Sequence, residues 1–337
     1  MAGYLRGFLG AAVVAAGLFA PGAAAQPGGA ELVSVRMIWN QAPHNAFTGL
    51  VRFKDRWFCT FREGAGHVSH DGKLRVITSA DGETWEPAAL LAAPGQLPDL
   101  RDPKITATPD GRLMLTGAAA RRVPPPVQHQ TYAWFSSDGK EWGTPVAIAE
   151  PDVWLWRITW HKGVAWGVGY SPARRDGVRL YRSADGRKFE TVVEKLFEAG
   201  FPNEASLEFL PDDTCLCLLR RDGQPSTAML GSARPPYAEW TWKDLGVRIG
   251  GPLLVRLPDG RLLAAGRRYD GQVRMSLMWL DAEKGAVREF LSLPSGGDTS
   301  YPGLVMHEGL AWVSYYSSHE GKTSIYLAKV RLPEERR

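Results

Sequence analysis

RFKDRWFCTF (residues 52–61), TPDGRLMLTG (108–117), WHKGVAWGVG (160–169), LPDDTCLCLL (210–219), LPDGRLLAAG (257–266) and MHEGLAWVSY (306–315) are six versions of one local pattern. Each is an apolar run, a tight turn and a second apolar run. Aligned on the turn residue, the copies fall at Asp55, Gly111, Gly163, Asp213, Gly260 and Gly309, at intervals of 56, 52, 50, 47 and 49 residues. Apolar runs joined by Asp-Gly type turns are hairpin signals. Self-similarity at such a period marks a repeated supersecondary unit, and units made of strands stack radially as propeller blades. The sequence therefore predicts an all-β, six-bladed β-propeller.

Outward from the repeats, the first 25 residues read as a secretory signal. Arg6 precedes the apolar run FLGAAVVAAGLFA (8–20), which is followed by Ala23, Ala24 and Ala25. The expected mature chain, 26–337, is then one propeller domain, secreted or periplasmic. The apolar run is shorter than the roughly 20 residues of a spanning helix, so stable membrane insertion of the mature chain is not expected. A net charge of +4 with no basic run argues against nucleic acid and anionic lipid as partners. Of the three cysteines, Cys215 and Cys217 are two apart in an apolar strand and share a face, which suits packing. Neither Cys nor His spacing resembles a metal site, and no metal or cofactor is expected. RRVPPPVQHQ (121–130) reads as a long inter-strand loop.

Three blades carry a second turn, SADGETW (79–85), SSDGKEW (136–142) and SADGRKF (183–189). The Asp can accept hydrogen bonds from the turn's own amides and the Gly can take positive φ. These turns join the outer strands at the end away from the axial site. Blade six supplies only YPGLVMH, LAWVSYY and TSIYLAKVRL, whereas VSVRMIW (33–39) has no hairpin partner. That strand is expected to complete blade six and close the ring.

Residues at equal offsets from the turn occupy equivalent places around the axis. Nine before it, where innermost strands begin, stand Ala46, Asp102, Trp154, Glu204, Gly251 and Ser300, the last followed by Tyr301; seven after it stand Arg62, Ala118, Tyr170, Arg220, Arg267 and Tyr316. In an antiparallel hairpin the two sets share one end. That end gathers Asp102, Glu204 and Tyr301 with Arg62, Arg220 and Arg267 or its neighbour Arg268. Several guanidinium groups in a concave site suit a carboxylate, which each can hold through paired hydrogen bonds.

The S-x-D-G-x-x-W/F turns resemble the Asp boxes of the sialidase superfamily, each one residue shorter than that family's form, and the resemblance spans essentially the whole mature chain. It implies roles. Glu204 in NEASLEFLPD, with Arg220 sixteen residues on, is similar to the family's glutamate and second clamp arginine. RRYDGQVRMS (267–276) looks like the segment of the third clamp arginine, best matched by Arg268. DTSYPGLV (298–305) resembles the segment of the nucleophilic tyrosine, Tyr301, and Asp71 in HVSHDGKLRVITS matches the acid/base aspartate, with His67 beside it. NAFTGLV (45–51) has no arginine where the family opens its clamp; Arg62 matches a different arginine, and Arg101 in DLRDPK is placed to compensate.

What the resemblance implies is a glycoside hydrolase acting on an acidic glycan of the sialic or uronic acid type. A neutral phenol can approach an anomeric carbon that bears a carboxylate, and needs a base such as Glu204 to attack. Three other readings stay open: a non-catalytic glycan-binding propeller, a glycosidase using Asp102 and Glu204 as a carboxylate pair, and β-elimination of a uronate by His67 with Tyr301.

Overall fold

The structure is a computed structural model describing residues 29–94, 98–121 and 128–333. The expected signal segment lies outside the described residues, as does most of the 121–130 loop. The strands form six four-stranded antiparallel sheets, five drawn from one repeat each and the sixth from the last repeat together with Glu31–Trp39. Their innermost strands are His44–Phe53, Asp99–Ala107, Trp154–His161, Pro202–Phe209, Ile249–Arg256 and Ser300–His307. Each pairs with the following strand across one of the six turns. The six-bladed propeller predicted from the repeat is the observed fold.

Blade six is completed as expected. Glu31–Trp39 pairs antiparallel with Ser324–Arg331, in a register running from Glu31 opposite Arg331 to Trp39 opposite Ile325. The first and last described strands thus belong to one sheet, and the ring closes through backbone hydrogen bonds. Arg36 extends the closure by pairing at 2.5 Å with Glu83 of blade one, which also takes Lys329.

The three downstream turns are built alike. Ser79 Oγ accepts the Gly82 amide at 2.8 Å, and Asp81 Oδ1 accepts the amides of Glu83 and Thr84 at 2.8 and 2.9 Å. The Thr84 and Glu83 amides, with the Ser79 hydroxyl, pull the Asp81 carboxyl down to about 2. Asp138 and Asp185 make the same contacts. Gly82, at φ 73°, lets this turn press on blade six: a Cβ there would lie 2.3 Å from Trp312. Gly139 meets Phe58 of blade one in the same way. Ser79 stands opposite Trp57, just past the inner turn, so these turns lie at the end away from the inner-strand starts.

The register of every innermost hairpin slips at the same height, between Ala46 and Gly49, Arg101 and Lys104, Leu155 and Ile158, Pro202 and Ala205, Gly250 and Leu253, and Ser300 and Gly303. Two residues on the inner strand there oppose one on its partner, which is a β-bulge, and a bulge re-aims side chains. Phe47, Asp102, Gly251 and Tyr301 take positive φ of 69°, 50°, 59° and 50° within these slips. The top of the axis is ringed by bulges.

Candidate functional site

Glu204 is a bulge residue of blade four, enclosed on all sides. Its Oε1 accepts the Tyr301 hydroxyl from blade six. Its Oε2 accepts Arg220 Nη1 at 2.7 Å and the Gly251 amide at 3.0 Å. Arg220 is itself fixed by Asp222, which also takes Arg248 and Asn203. Glu204 is therefore aimed by charge and backbone together, and Arg220 has little left to give a ligand.

Tyr301 is packed edge-on against Phe47 and Trp156, with ring centroids 5.1 and 5.5 Å away. Burial and the charges of Glu204 and Asp102 push its phenol well above the ordinary range. No phenolate stands at rest, so any attack by this oxygen must be coupled to proton transfer to Glu204.

Asp102 shares the floor of the site. Burial raises its carboxyl, and Glu204 adds to the rise against the pull of Arg101. Its Oδ1 is buried without a hydrogen-bond partner, leaving it open to a ligand hydroxyl. Beneath it, Lys104 donates to the Thr48 carbonyl at 3.0 Å and lies over the rings of Trp156 and Tyr301. Burial and the neighbouring Arg157 bring this amine down to about 7. Sequence reasoning passed over Lys104 and Arg157, although Lys104 stands only two residues after Asp102. Past them, toward the opposite mouth, the channel opens into a cavity of 310 Å³ lined in part by Thr106, Thr159, Trp160 and Glu208.

The rim is organised by Asp298. One oxygen accepts His44 Nε2 at 2.9 Å and His67 Nδ1 at 2.6 Å; the other accepts the Tyr316 hydroxyl at 3.0 Å and faces Arg267 Nη1 at 3.9 Å. Burial works to raise this carboxyl, but the bonds from His44 and His67 hold it far below the carboxylate range. Arg267 donates through Nε to Tyr269 at 2.9 Å, which leaves much of its guanidinium for a ligand. Across the site, Arg101 lies over Phe47 and Trp154 with its Nε unpartnered, and Trp154 is parallel to Tyr170 at 6.1 Å.

His44, His67 and Asp298 bring three donor atoms within 4.8 Å of one another, a set that could hold a metal ion. The chemistry of His44 favours hydrogen bonding instead. Its Nδ1 is buried with no partner. Metal binding through Nε2 would put the proton on Nδ1, an orphaned donor, where the observed geometry leaves only a bare lone pair.

Of the residues expected from sequence, Glu204, Tyr301, Arg220, Asp102 and Arg101 converge, and His67 stands at the rim above them. Three are engaged with other partners. Arg62 is fully buried, bonded to Asp99 at 2.8 and 3.0 Å, to the Gly66 carbonyl at 2.7 Å and to Ser69 Oγ at 2.7 Å. Its donors tie down the 65–71 loop and are not offered to a ligand. Arg268 pairs with Asp270 at 2.6 Å and reaches Met278, because strand alternation turns it away from the axis that Arg267 faces. Asp71 is exposed, with both oxygens on the Ala65 amide at 3.1 Å, and it shares no hydrogen bond with Glu204 or Tyr301 among the described residues. Ser69 and that amide hold it below the carboxylate range, opposite to what a proton donor at neutral pH requires.

No protein-family model matches the chain, and no curated protein does. Solved structures do. A protein of unknown function from Dyadobacter fermentans is 21% identical with a TM-score of 0.80, over 91% of this chain and 100% of that one. The GH93 α-L-arabinofuranosidase of Fusarium graminearum, solved with arabinobiose, is 13% identical with a TM-score of 0.68, over 89% of this chain and 98% of that one. Trypanosoma rangeli sialidase is 12% identical with a TM-score of 0.66, over 86% and 55%. At these identities the likeness is one of fold.

Proposed function

We propose that the chain is an exported propeller glycoside hydrolase acting on an acidic glycan, with Tyr301 as nucleophile and Glu204 as its base. The observation that carries this reading is the Tyr301 hydroxyl donating to Glu204, while Arg220 and the Gly251 amide hold that carboxylate's second oxygen. A raised phenol beside a fixed carboxylate can attack only as its proton moves, which confines nucleophilicity to the reacting complex. The spare donors of Arg101 and Arg267 support a carboxylate-bearing ligand, and the unpartnered Asp102 oxygen supports one rich in hydroxyls. The apolar N-terminal pattern supports export. Structural likeness to a sialidase and an arabinofuranosidase is consistent with a sugar substrate.

The test is a panel of aryl and methyl glycosides of N-acetylneuraminic acid, glucuronic acid, galacturonic acid and L-arabinofuranose. Tyr301→Phe and Glu204→Gln should each lower turnover by a factor on the order of a hundred or more while retaining ligand binding. Undiminished turnover in both variants would exclude the tyrosine mechanism. Wild-type binding without hydrolysis of any member would favour a glycan-binding propeller.

A further inference from the structure

On the reading that Tyr301 and Glu204 perform the displacement, we propose that His67, oriented by Asp298, is the residue that protonates the departing glycosidic oxygen and then activates water. Displacement by Tyr301 leaves the opposite job unfilled, since an alkoxide cannot leave without a proton. Asp71 is tied to the Ala65 amide. Asp102 is only 4% exposed, on the floor beside Glu204. The leaving group must exit toward solvent, so its proton donor belongs between the floor and the opening. His67 is there: its ring meets Phe47 edge-on at 5.1 Å, the same Phe47 that packs on Tyr301, and its side chain is 46% exposed.

The hydrogen bonds select its tautomer. Asp298 is an acceptor at both oxygens, taking His44 and His67 on one and Tyr316 on the other. Nδ1 of His67 therefore carries a proton toward Asp298, and Nε2 is the atom that gains and loses one, on the ring's other side. A carboxylate behind an imidazole both fixes the ring and stabilises the imidazolium. His44 is a poor rival, because its free nitrogen is buried and cannot reach a substrate.

The steps balance. In the first, the Tyr301 oxygen bonds to the anomeric carbon as the glycosidic C–O bond breaks; the phenol proton passes to Glu204 and the His67 Nε2 proton to the leaving oxygen. In the second, Nε2 takes a proton from water as its oxygen attacks the same carbon. The bond to Tyr301 breaks, and the phenolate recovers its proton from Glu204.

Leaving-group dependence tests this. On the panel member that the wild type hydrolyses, His67→Ala should lose about 10²–10⁴-fold on the methyl glycoside. With azide supplied as the second nucleophile, the same variant should lose less than about tenfold on the 4-nitrophenyl glycoside, whose leaving group needs no proton. Asp298→Asn should shift the same ratio in the same direction, and Asp71→Asn should not shift it. His67 is half-exposed, so folding is not at stake, and Asp298→Asn preserves volume. Equal losses on both leaving groups, or a shift produced by Asp71→Asn instead, would overturn the inference while Tyr301 and Glu204 still stand. Loss of wild-type activity on chelation, restored by a divalent cation, would overturn the hydrogen-bonded assignment of the rim. A C4–C5 unsaturated uronate as product, or wild-type inactivity across the panel, would overturn both readings.

Discussion

Adjacent arginines in blade five have opposite duties. The repeat offset points to Arg267 and the family resemblance to Arg268; the offset preserves the parity that decides which face of a strand a side chain occupies. Arg267 looks into the site at Asp298 and Tyr269, whereas Arg268 is spent on Asp270 within its own blade. In a Tyr301→Phe background, which prevents turnover, Arg267→Ala should weaken binding of a carboxylate-bearing sugar by about 1.5–3 kcal/mol. Arg268→Ala should leave affinity unchanged and lower the melting temperature. Calorimetric titration of both variants checks this, and a larger affinity loss at Arg268 would reverse the assignment. The hub at Asp298 left a fainter trace: it and His44 both stand eleven residues before their turn residues, two ahead of the offset that gathers Asp102 and Glu204, and only tertiary closure brings residues so distant in sequence to one carboxylate.

At the level of the strand, the hairpin and its period were legible because alternation and Asp-Gly turns are local properties of the chain. The bulges were not, since a register slip depends on what the partner strand does. A partial trace exists: Pro103, Pro252 and Pro302 each follow a bulge residue, and proline inside an apparent central strand argues for an interrupted ladder. Gly251 is where this geometry is least forgiving. Its φ is 59°, and a Cβ would lie 2.5 Å from Ser300 Oγ and 3.0 Å from the Tyr301 amide nitrogen. Gly251→Ala should cost about 1–2 kcal/mol of stability for the left-handed backbone. It should also push Tyr301 away from Glu204, so turnover at a temperature where the variant is fully folded should fall much further than stability does. Turnover that stays at the wild-type level would show that the bulge does not position the nucleophile.

At the level of the whole ring, the two mouths of the axial channel differ in charge chemistry. On the mouth opposite the candidate site, burial raises Glu208 to about 7, only partly offset by Arg256. The unfolded value is roughly 4.3, so this group favours the fold fully below that pH and loses its contribution as pH rises toward 7. Glu208→Gln, which cannot ionise, should therefore raise the melting temperature at pH 8 and leave it nearly unchanged at pH 4. An equal effect at both values would mean that the carboxylate is well solvated there.

Blade six is stitched from the first and last described strands, Glu31–Trp39 and Ser324–Arg331. During vectorial synthesis the earliest described strand emerges before its partner, which is made only after five other blades. Glu31–Trp39 must wait as a bare edge, with Val33 and Met37 among its apolar side chains. A contact spanning nearly the whole chain is also the slowest kind to form, because its loop-closure entropy is met before any of its hydrogen bonds. The same bonds that close the finished ring set its final assembly step, and until they form Ser324–Arg331 has no outer partner.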